Sequence, residues 1–369
     1  MSFFDTIEAY RNFNFSTFFA MVRPADVDRA LNREKLSPHD FLVLLSPLAA
    51  DFLEPMAQKA HRLTVQYFGR TIQLFIPLYI SNHCTNECVY CGFNRRHGIE
   101  RRKLSLSQIE SEAKAIAATG MRHLLLLTGE ARSETPMDYL EQSVRLLKKY
   151  FASVAIEMFP MQEDEYRRLK AAGVDGLTLY QEVYDQTRYG QLHKAGKKTD
   201  YRYRLDAPER GARAGFRMVN IGPLLGLGDI CSEVFLSGLH AGYLADKYLQ
   251  TEISISLPRI NPAEGDYVAD YFAGDRQFVQ FVCALRCFLP RAGITVSTRE
   301  AAAFRDHLIQ LGATRFSAGS CTGVGGYAAQ RTDDTPQFEI TDQRSVEQVV
   351  AAIKEQGYQP VYKDWDRIE

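Results

Sequence analysis

From Thr71 onward, short apolar and β-branched runs alternate with longer stretches whose apolar residues recur at helical spacing. Eight runs stand out: Ile72 to Ile80, His123 to Thr128, Val154 to Phe159, Leu177 to Gln181, Met218 to Leu224, Glu252 to Leu257, Ile294 to Thr298 and Arg315 to Ser317. The segments between them carry helix punctuation. Ser107-x-x-Glu110 reads as a capping box ahead of Ile109, Ala113 and Ile116, and Gly120 as the stop. Thr135-Pro136-Met137-Asp138 opens the next helix, with proline suited to a first helical turn. Strands that alternate with helices pair in parallel through crossover helices. Eight such units over roughly 250 residues predict an α/β chain folded as a closed (β/α)8 barrel of the TIM type, since open doubly wound sheets usually have fewer strands.

Around that barrel, residues 71–320, the pattern predicts two extensions. Residues 1–70 read as a helical extension (Val27 to Asn32, then Phe41 to Tyr67) that covers the barrel's bottom or outer face. Residues 321–369 add a Gly-rich loop at Gly323 to Gly326, a helix near Val346 to Lys354 and a polar tail. With 46% hydrophobic residues the chain is not disordered. Its 44 Lys plus Arg against 45 Asp plus Glu leave no long-range field for phosphate, so nucleic acid is not an expected partner. Apolar stretches such as Leu74 to Ile80 fall well short of the roughly 18 residues of a membrane span, and the start lacks the basic flank of a signal peptide. A cytoplasmic protein without a membrane anchor is expected.

Seven cysteines in a chain of this length do not suggest a disulfide framework. Three of them crowd into Cys84-Thr-Asn-Glu-Cys88-Val-Tyr90-Cys91, directly after the first strand, and Gly92-Phe93 follows. On a loop this spacing can wrap three thiolates around one face of an iron–sulfur cubane and leave one iron without a protein ligand. Structural zinc, with His83 or His97 as fourth ligand, is the competing reading, although zinc sites usually add a second two-Cys knuckle and none appears. Cys283 and Cys287 lie one helical turn apart in an apolar segment with Phe278, Val282, Leu285 and Phe288, which reads as core packing.

The Cys84-x3-Cys88-x2-Cys91 motif followed by Gly-Phe resembles the radical S-adenosylmethionine (SAM) superfamily. The resemblance implies a 4Fe-4S cluster held by Cys84, Cys88 and Cys91, whose free iron chelates SAM. Thr128-Gly129-Glu130, after the second strand, resembles the family's Gly-Gly-Glu element, with Thr in place of the first Gly. Glu130 then accepts hydrogen bonds from the SAM ammonium. The resemblance further places Glu182 against the ribose and Arg204 against the SAM carboxylate, with Arg202 as competitor, and adds Phe93, Gly129 and Glu157 to the cofactor-binding set. Glu157 also reads as a charged residue of a barrel layer.

A wider set of segments resembles the aromatic amino acid lyase branch of that superfamily, nearest to the tyrosine lyases of thiamine thiazole biosynthesis. It comprises Leu179-Tyr180-Gln181-Glu182, Asn220-Ile-Gly222-Pro223 through Asp229, Ser297-Thr298-Arg299-Glu300, Phe316-Ser317-Ala318-Gly319-Ser320 and the closing Pro360-Val-Tyr-Lys363-Asp364-Trp365. In that branch an Arg and a Ser from late strands bind the substrate carboxylate and a Tyr beside the cluster contacts the substrate, which match Arg299, Ser317 and Tyr90. The implied reaction cleaves the Cα–Cβ bond of L-tyrosine to 2-iminoacetate (dehydroglycine) and 4-cresol, while SAM becomes methionine and 5'-deoxyadenosine. A thiazole synthase partner is implied by the same resemblance. Other aromatic substrates, as in tryptophan lyase or deazaflavin synthase, and a non-enzymatic zinc-bearing scaffold are the alternatives. The tyrosine lyase of hydrogenase maturation carries an extra C-terminal cysteine group that is not matched here.

Independently of any family, Cys84 to Cys91, Glu130, Glu157, Glu182, Arg299 and Ser317 all follow or end predicted strands, and barrel enzymes build their sites on that face. Arg299 could instead cap the helix after it, but cations are disfavoured at that end. Arg95, Arg96, Arg101, Arg102 and Lys103 form either a solvated loop or a docking patch for an acidic electron donor such as flavodoxin or ferredoxin.

Overall fold

The computed structural model describes residues 2–328 and 335–363. Its strands are β1 (Thr71–Ser81), β2 (His123–Thr128), β3 (Ser153–Glu157), β4 (Gly176–Thr178), β5 (Met218–Ile221), β6 (Glu252–Ser256), β7 (Gly293–Val296) and β8 (Arg315–Ser317). Each coincides with a run predicted from the sequence, adjusted by a few residues at the ends. They pair in parallel in chain order, and β1 meets β8 on one edge and β2 on the other, which closes the sheet into the predicted barrel.

Side chains of β1 sort by the two-residue period of a strand. Ile72, Leu74, Ile76, Leu78 and Ile80 join the main core with the helices, while Phe75 and Tyr79 meet Leu125, Leu127, Ala155 and Met218 inside the barrel. The outer layer includes the helices Leu106–Ala118, Met137–Leu147, Ile230–Lys247, Asp275–Phe288 and Ala302–Leu311. Cys283 and Cys287 are buried in the main core, as their helical spacing suggests.

The capping box falls two residues earlier than expected. Ser105 Oγ accepts from the Gln108 amide at 3.3 Å and Gln108 Oε1 accepts from the Ser105 amide at 2.8 Å. Two overlapping Ser-x-x-polar frames exist, and the earlier one lets Leu106 pack as the first helical residue while Glu110 is taken by the Tyr150 hydroxyl at 2.6 Å. Pro136 likewise sits just before the helix, at its N-cap.

Helices from Phe3–Tyr10 to Leu53–Phe68 precede the barrel, and Phe41 stacks on Phe288 with ring centroids 4.5 Å apart. After the helix Val346–Glu355 a short strand, β9 (Gln359–Val361), pairs with the first residues of β1, Thr71–Gln73. Three residues including Pro360 carry no readable period, so this strand was not foreseen. Asp364 and Trp365 of the closing motif lie outside the described residues. Among the described residues no helix is long and apolar enough to cross a membrane.

Candidate active site

The β1 register shifts between Tyr79 and Ser81, just before the cysteine loop. Such irregularities re-aim a strand end beside functional sites. Ser81 pairs with Thr128, so the loop after β1 and the loop after β2 leave the barrel side by side. The Gly129 amide donates to Ser81 O and the Thr85 amide to Glu130 O, both at 2.9 Å. A Cβ on Gly129 would collide with the His83 carbonyl and come within 3.3 Å of Cys84 Cβ. Only glycine lets the two loops approach this closely. We expect Gly129→Ala to displace the cysteine loop, so that anaerobic reconstitution yields roughly half of the parent's iron or less while circular dichroism still reports a folded barrel.

The far side of the cysteine loop is held by residues 192–195. The Val89 amide donates to Leu192 O at 3.1 Å and the Glu87 amide to Ala195 O at 3.0 Å. Arg101 reaches back from the basic stretch to the carbonyls of Asn82, Phe93 and Asn94, at 2.8, 2.9 and 2.6 Å. Arg95 and Arg96 both pair with Glu87 yet stay 50% and 74% exposed. The outward-facing part of the predicted basic patch is therefore narrower than its sequence suggests.

Two adjoining cavities open at the strand C-termini. The first is lined by Cys84, Cys88, Cys91, Phe93, Thr128, Gly129, Glu130, Glu157, Glu182 and Arg204, together with Tyr79, Asn86, Tyr180, Lys198 and Gln337. The second is lined by Tyr90, Arg299 and Phe338, and shares Cys91, Glu157, Tyr180, Glu182, Lys198 and Gln337 with the first. Every predicted site residue lines one of them except Ser317. That residue is buried, and its hydroxyl accepts the Thr298 amide at 3.0 Å. Arg202 lies outside as well, exposed and stacked 4.7 Å from the Phe4 ring, which leaves Arg204 as the arginine of this cavity.

Glu182 sits at the hub. Its φ of 72° is the one positive value for a non-glycine among the described residues, and the Leu224 amide donates to its carbonyl at 2.9 Å. Left-handed backbone at a side-chain-bearing residue costs on the order of 1–3 kcal/mol and persists where surroundings over-determine it. Lys198 Nζ lies 2.7 Å from Glu182 Oε1, and Arg204 Nη2 lies 3.4 Å from the same oxygen. Burial opposes the charge of Glu182, but Lys198 and Arg204 outweigh it and hold the carboxyl below its ordinary range. Across the cavity, Asn86 Nδ2 donates to Glu130 Oε2 at 2.7 Å, leaving the other carboxylate oxygen for a further donor.

Glu157 differs. Burial first, then the nearby Glu182 charge, push its carboxyl up to about 7, against the opposing pull of Arg299, Arg204 and Lys198. The folded chain then keeps a proton that the unfolded chain has lost, so stability falls as pH rises from 4.5 to about 7. In the iron-free protein, Glu157→Gln should match the parent in urea unfolding below pH 4.5 and exceed it by about 1–3 kcal/mol above pH 7.

Arg299 carries its charge in the second cavity with its guanidinium carbon 3.3 Å from the Phe338 ring centroid. Burial lowers its pKa, and among the described residues no carboxylate forms a salt bridge with it. Tyr90 is buried beside it, its hydroxyl 2.8 Å from His193 Nε2, while His193 Nδ1 lies 2.8 Å from Tyr189 O. Burial pulls His193 far below its usual pKa, so the ring is neutral, its Nδ1–H donates to Tyr189 O, and Tyr90 donates to Nε2.

Lys198, Asn86, Gln337 and Phe338 carry no sequence signal, His193 reads as a lone histidine with at most a supporting role, and only inward strand alternation marks Tyr79. The donor set fits a cubane with SAM. Three thiols line one cavity together with the carboxylates of Glu130, Glu157 and Glu182 and the cations Lys198 and Arg204, and Thr128 Oγ1 is buried there with no partner among the described residues. Burial pushes the Cys88 thiol up to about 12 and Cys91 upward, so a bound metal is what keeps such thiols ionised.

Residues 78–234 match the Radical SAM superfamily, and residues 256–359 match the Biotin and Thiamin Synthesis associated domain. The chain is 42% identical over 346 residues to the 2-iminoacetate synthase of Salmonella typhimurium, covering 93% of this chain and 91% of that protein. Against the Escherichia coli 2-iminoacetate synthase it is 42% identical over 343 residues, again with 93% and 91% covered. The X-ray structure of the FeFe-hydrogenase maturase HydG from Carboxydothermus hydrogenoformans superposes with a TM-score of 0.85 at 30% identity, covering 98% of this chain and 83% of that one. The chain belongs to the 2-iminoacetate synthase family of the radical SAM superfamily.

Proposed function

We propose that this chain is a cytoplasmic radical SAM lyase that cleaves the Cα–Cβ bond of L-tyrosine to 2-iminoacetate and 4-cresol for thiamine thiazole biosynthesis. The observation that carries the reading is the adjacency of the two cavities. One presents three cluster thiols, the other an arginine with no carboxylate partner among the described residues, and Cys91, Glu157, Tyr180, Glu182, Lys198 and Gln337 wall both. The family's cofactors are a 4Fe-4S cluster and SAM, which Cys84, Cys88, Cys91, Phe93, Gly129, Glu130, Glu157, Glu182 and Arg204 are proposed to hold. On one-electron reduction they supply the carbon-centred radical that takes a hydrogen atom from the substrate amine.

The chain's own residues have a positioning task. Glu130, steadied by Asn86, offers a carboxylate oxygen to the SAM ammonium, and Arg204 stands beside Glu182 to receive the SAM carboxylate and ribose. Arg299 takes the carboxylate of tyrosine in a guanidinium fork. Ser317 belongs to this role as a support, holding the Thr298 amide next to Arg299. Tyr90, pinned by His193, presents its ring to the substrate with its hydroxyl proton engaged elsewhere. Phe338 shields Arg299 from water.

The proposed electron donor is a flavodoxin or ferredoxin, and Arg95 and Arg96, half or more exposed just after the cysteine loop in sequence, are its proposed docking cations. The imine product hydrolyses in water, so passage to a thiazole synthase partner is part of the reading. Anaerobically purified protein should carry about four irons per chain. With SAM, dithionite and tyrosine it should release 4-cresol and 5'-deoxyadenosine. Deoxyadenosine formed with tryptophan but not tyrosine would move the reading to tryptophan lyase, and a colourless zinc protein would end it.

A further inference from the structure

Building on the cluster reading above, we propose that Gln337 is a positioning residue for the cluster. Its side-chain amide donates an N–H···S hydrogen bond to the ligand Cys91, Tyr79 fixes the amide in that orientation, and the contact makes one-electron reduction easier.

Gln337 Nε2 lies 3.8 Å from Cys91 Sγ, and the Tyr79 hydroxyl lies 2.7 Å from Gln337 Oε1. The chemistry allows one arrangement. A ligating thiolate only accepts, the phenol supplies its single proton, and an amide has one face of each kind. Its oxygen must therefore turn to Tyr79 and its nitrogen to the sulfur.

The segment carrying Gln337 is held close by its backbone. The Gly92 amide donates to Gln337 O at 3.0 Å, and a Cβ on Gly92 would lie 2.9 Å from that oxygen. The Gln337 amide donates to Thr322 O at 3.1 Å, Thr322 Oγ1 donates to Phe338 O at 2.9 Å, and the Glu339 amide donates to Pro262 O at 2.8 Å. Farther on, the fully buried Asp342 accepts from Arg305. Gln337 thus reaches the cluster from about 250 residues away on a segment anchored by backbone hydrogen bonds, and belongs to the shell that tunes iron–sulfur potentials. Each reduction adds one negative charge to the cluster, and a donor aimed at a ligand sulfur stabilises the more negative state.

The test uses the full chain, reconstituted anaerobically and titrated with dithionite, with the reduced cluster followed by electron paramagnetic resonance. Gln337→Met keeps the side-chain length and removes the donor. Its reduced-to-oxidised ratio at a fixed potential should fall about tenfold, equivalent to about 59 mV for one electron. Tyr79→Phe should shift the ratio in the same direction by a smaller factor. An unmoved midpoint in either variant would overturn the proposal. So would a Gln337→Met protein that loses iron while its remaining clusters keep the parent midpoint, because that marks a structural role. A parent protein that binds no iron would instead overturn the cluster reading itself, which separates the two failures.

Discussion

Arg299→Gln is expected to lower kcat/KM for L-tyrosine by about thirty- to several-thousandfold, with the iron content unchanged. Arg299 is a half-buried cation lining the cavity, with an aromatic ring on one face and no carboxylate partner among the described residues. A cation in that position gains most from a substrate carboxylate that supplies the missing charge. Removing one side of such a pair costs about 2–5 kcal/mol, and each 1.4 kcal/mol is a factor of ten. Arg299→Lys should recover only part of the loss, because an ammonium lacks the planar fork. Steady-state assay of 4-cresol against tyrosine concentration checks both variants. If Arg299→Gln retained the parent's kcat/KM, the carboxylate would have to bind elsewhere in the cavity.

Glu182→Gln should have the largest effect on stability. The substitution strips the counter-charge from Lys198 and Arg204, whose side chains are only 12% and 8% exposed. Leaving buried charges uncompensated costs about 3–5 kcal/mol, to be read from the urea midpoint of the iron-free protein at pH 7. The sign of the pH dependence follows from the depressed carboxyl. Its contribution is full above the ordinary value of 4.5 and is lost as pH falls through the lower folded value, so parent and variant should converge in acid. Adding Lys198→Met to Glu182→Gln should restore part of the loss, since one stranded cation is then gone. A Glu182→Gln protein as stable as the parent would show that the left-handed turn at Glu182 holds without its ion pairs.

The barrel was legible because its signal is short-range. A strand buried between lumen and helices declares itself over a handful of residues, as in Ile72 to Ile80, and the capping residues between strands mark the crossovers even when the frame is misread by two, as at Ser105. β9 escaped for the converse reason, since three residues that pair at one end of β1 have no period to detect. Three cysteines within eight residues mark a metal site by spacing, with the family resemblance choosing iron–sulfur over zinc, and strand ends such as Glu130, Glu157 and Glu182 announce a common face once a barrel is assumed.

Partners drawn from elsewhere left no such mark. Lys198 follows a loop, His193 looks like any lone histidine, and Gln337 and Phe338 sit in a strap with no pattern of its own. The resemblance favours Arg204 over Arg202 by little, and the fold separates them, with Arg202 on Phe4 and Arg204 beside Glu182. Ser317 pointed toward the site by position and proved to be engaged with the Thr298 amide.

The alternation of strands and helices, the grouping of three cysteines and the strand ends that carry charged residues are properties of local periodicity and local spacing, and the amino-acid string carries them unaided. Which charge faces which, which thiol receives a hydrogen bond and which arginine lines the second cavity depend on closing a ring of eight strands and laying a distant strap across its mouth. Those contacts join residues up to about 250 positions apart, and the free energy that selects them comes from burial and pairing in three dimensions, which no short window of sequence contains.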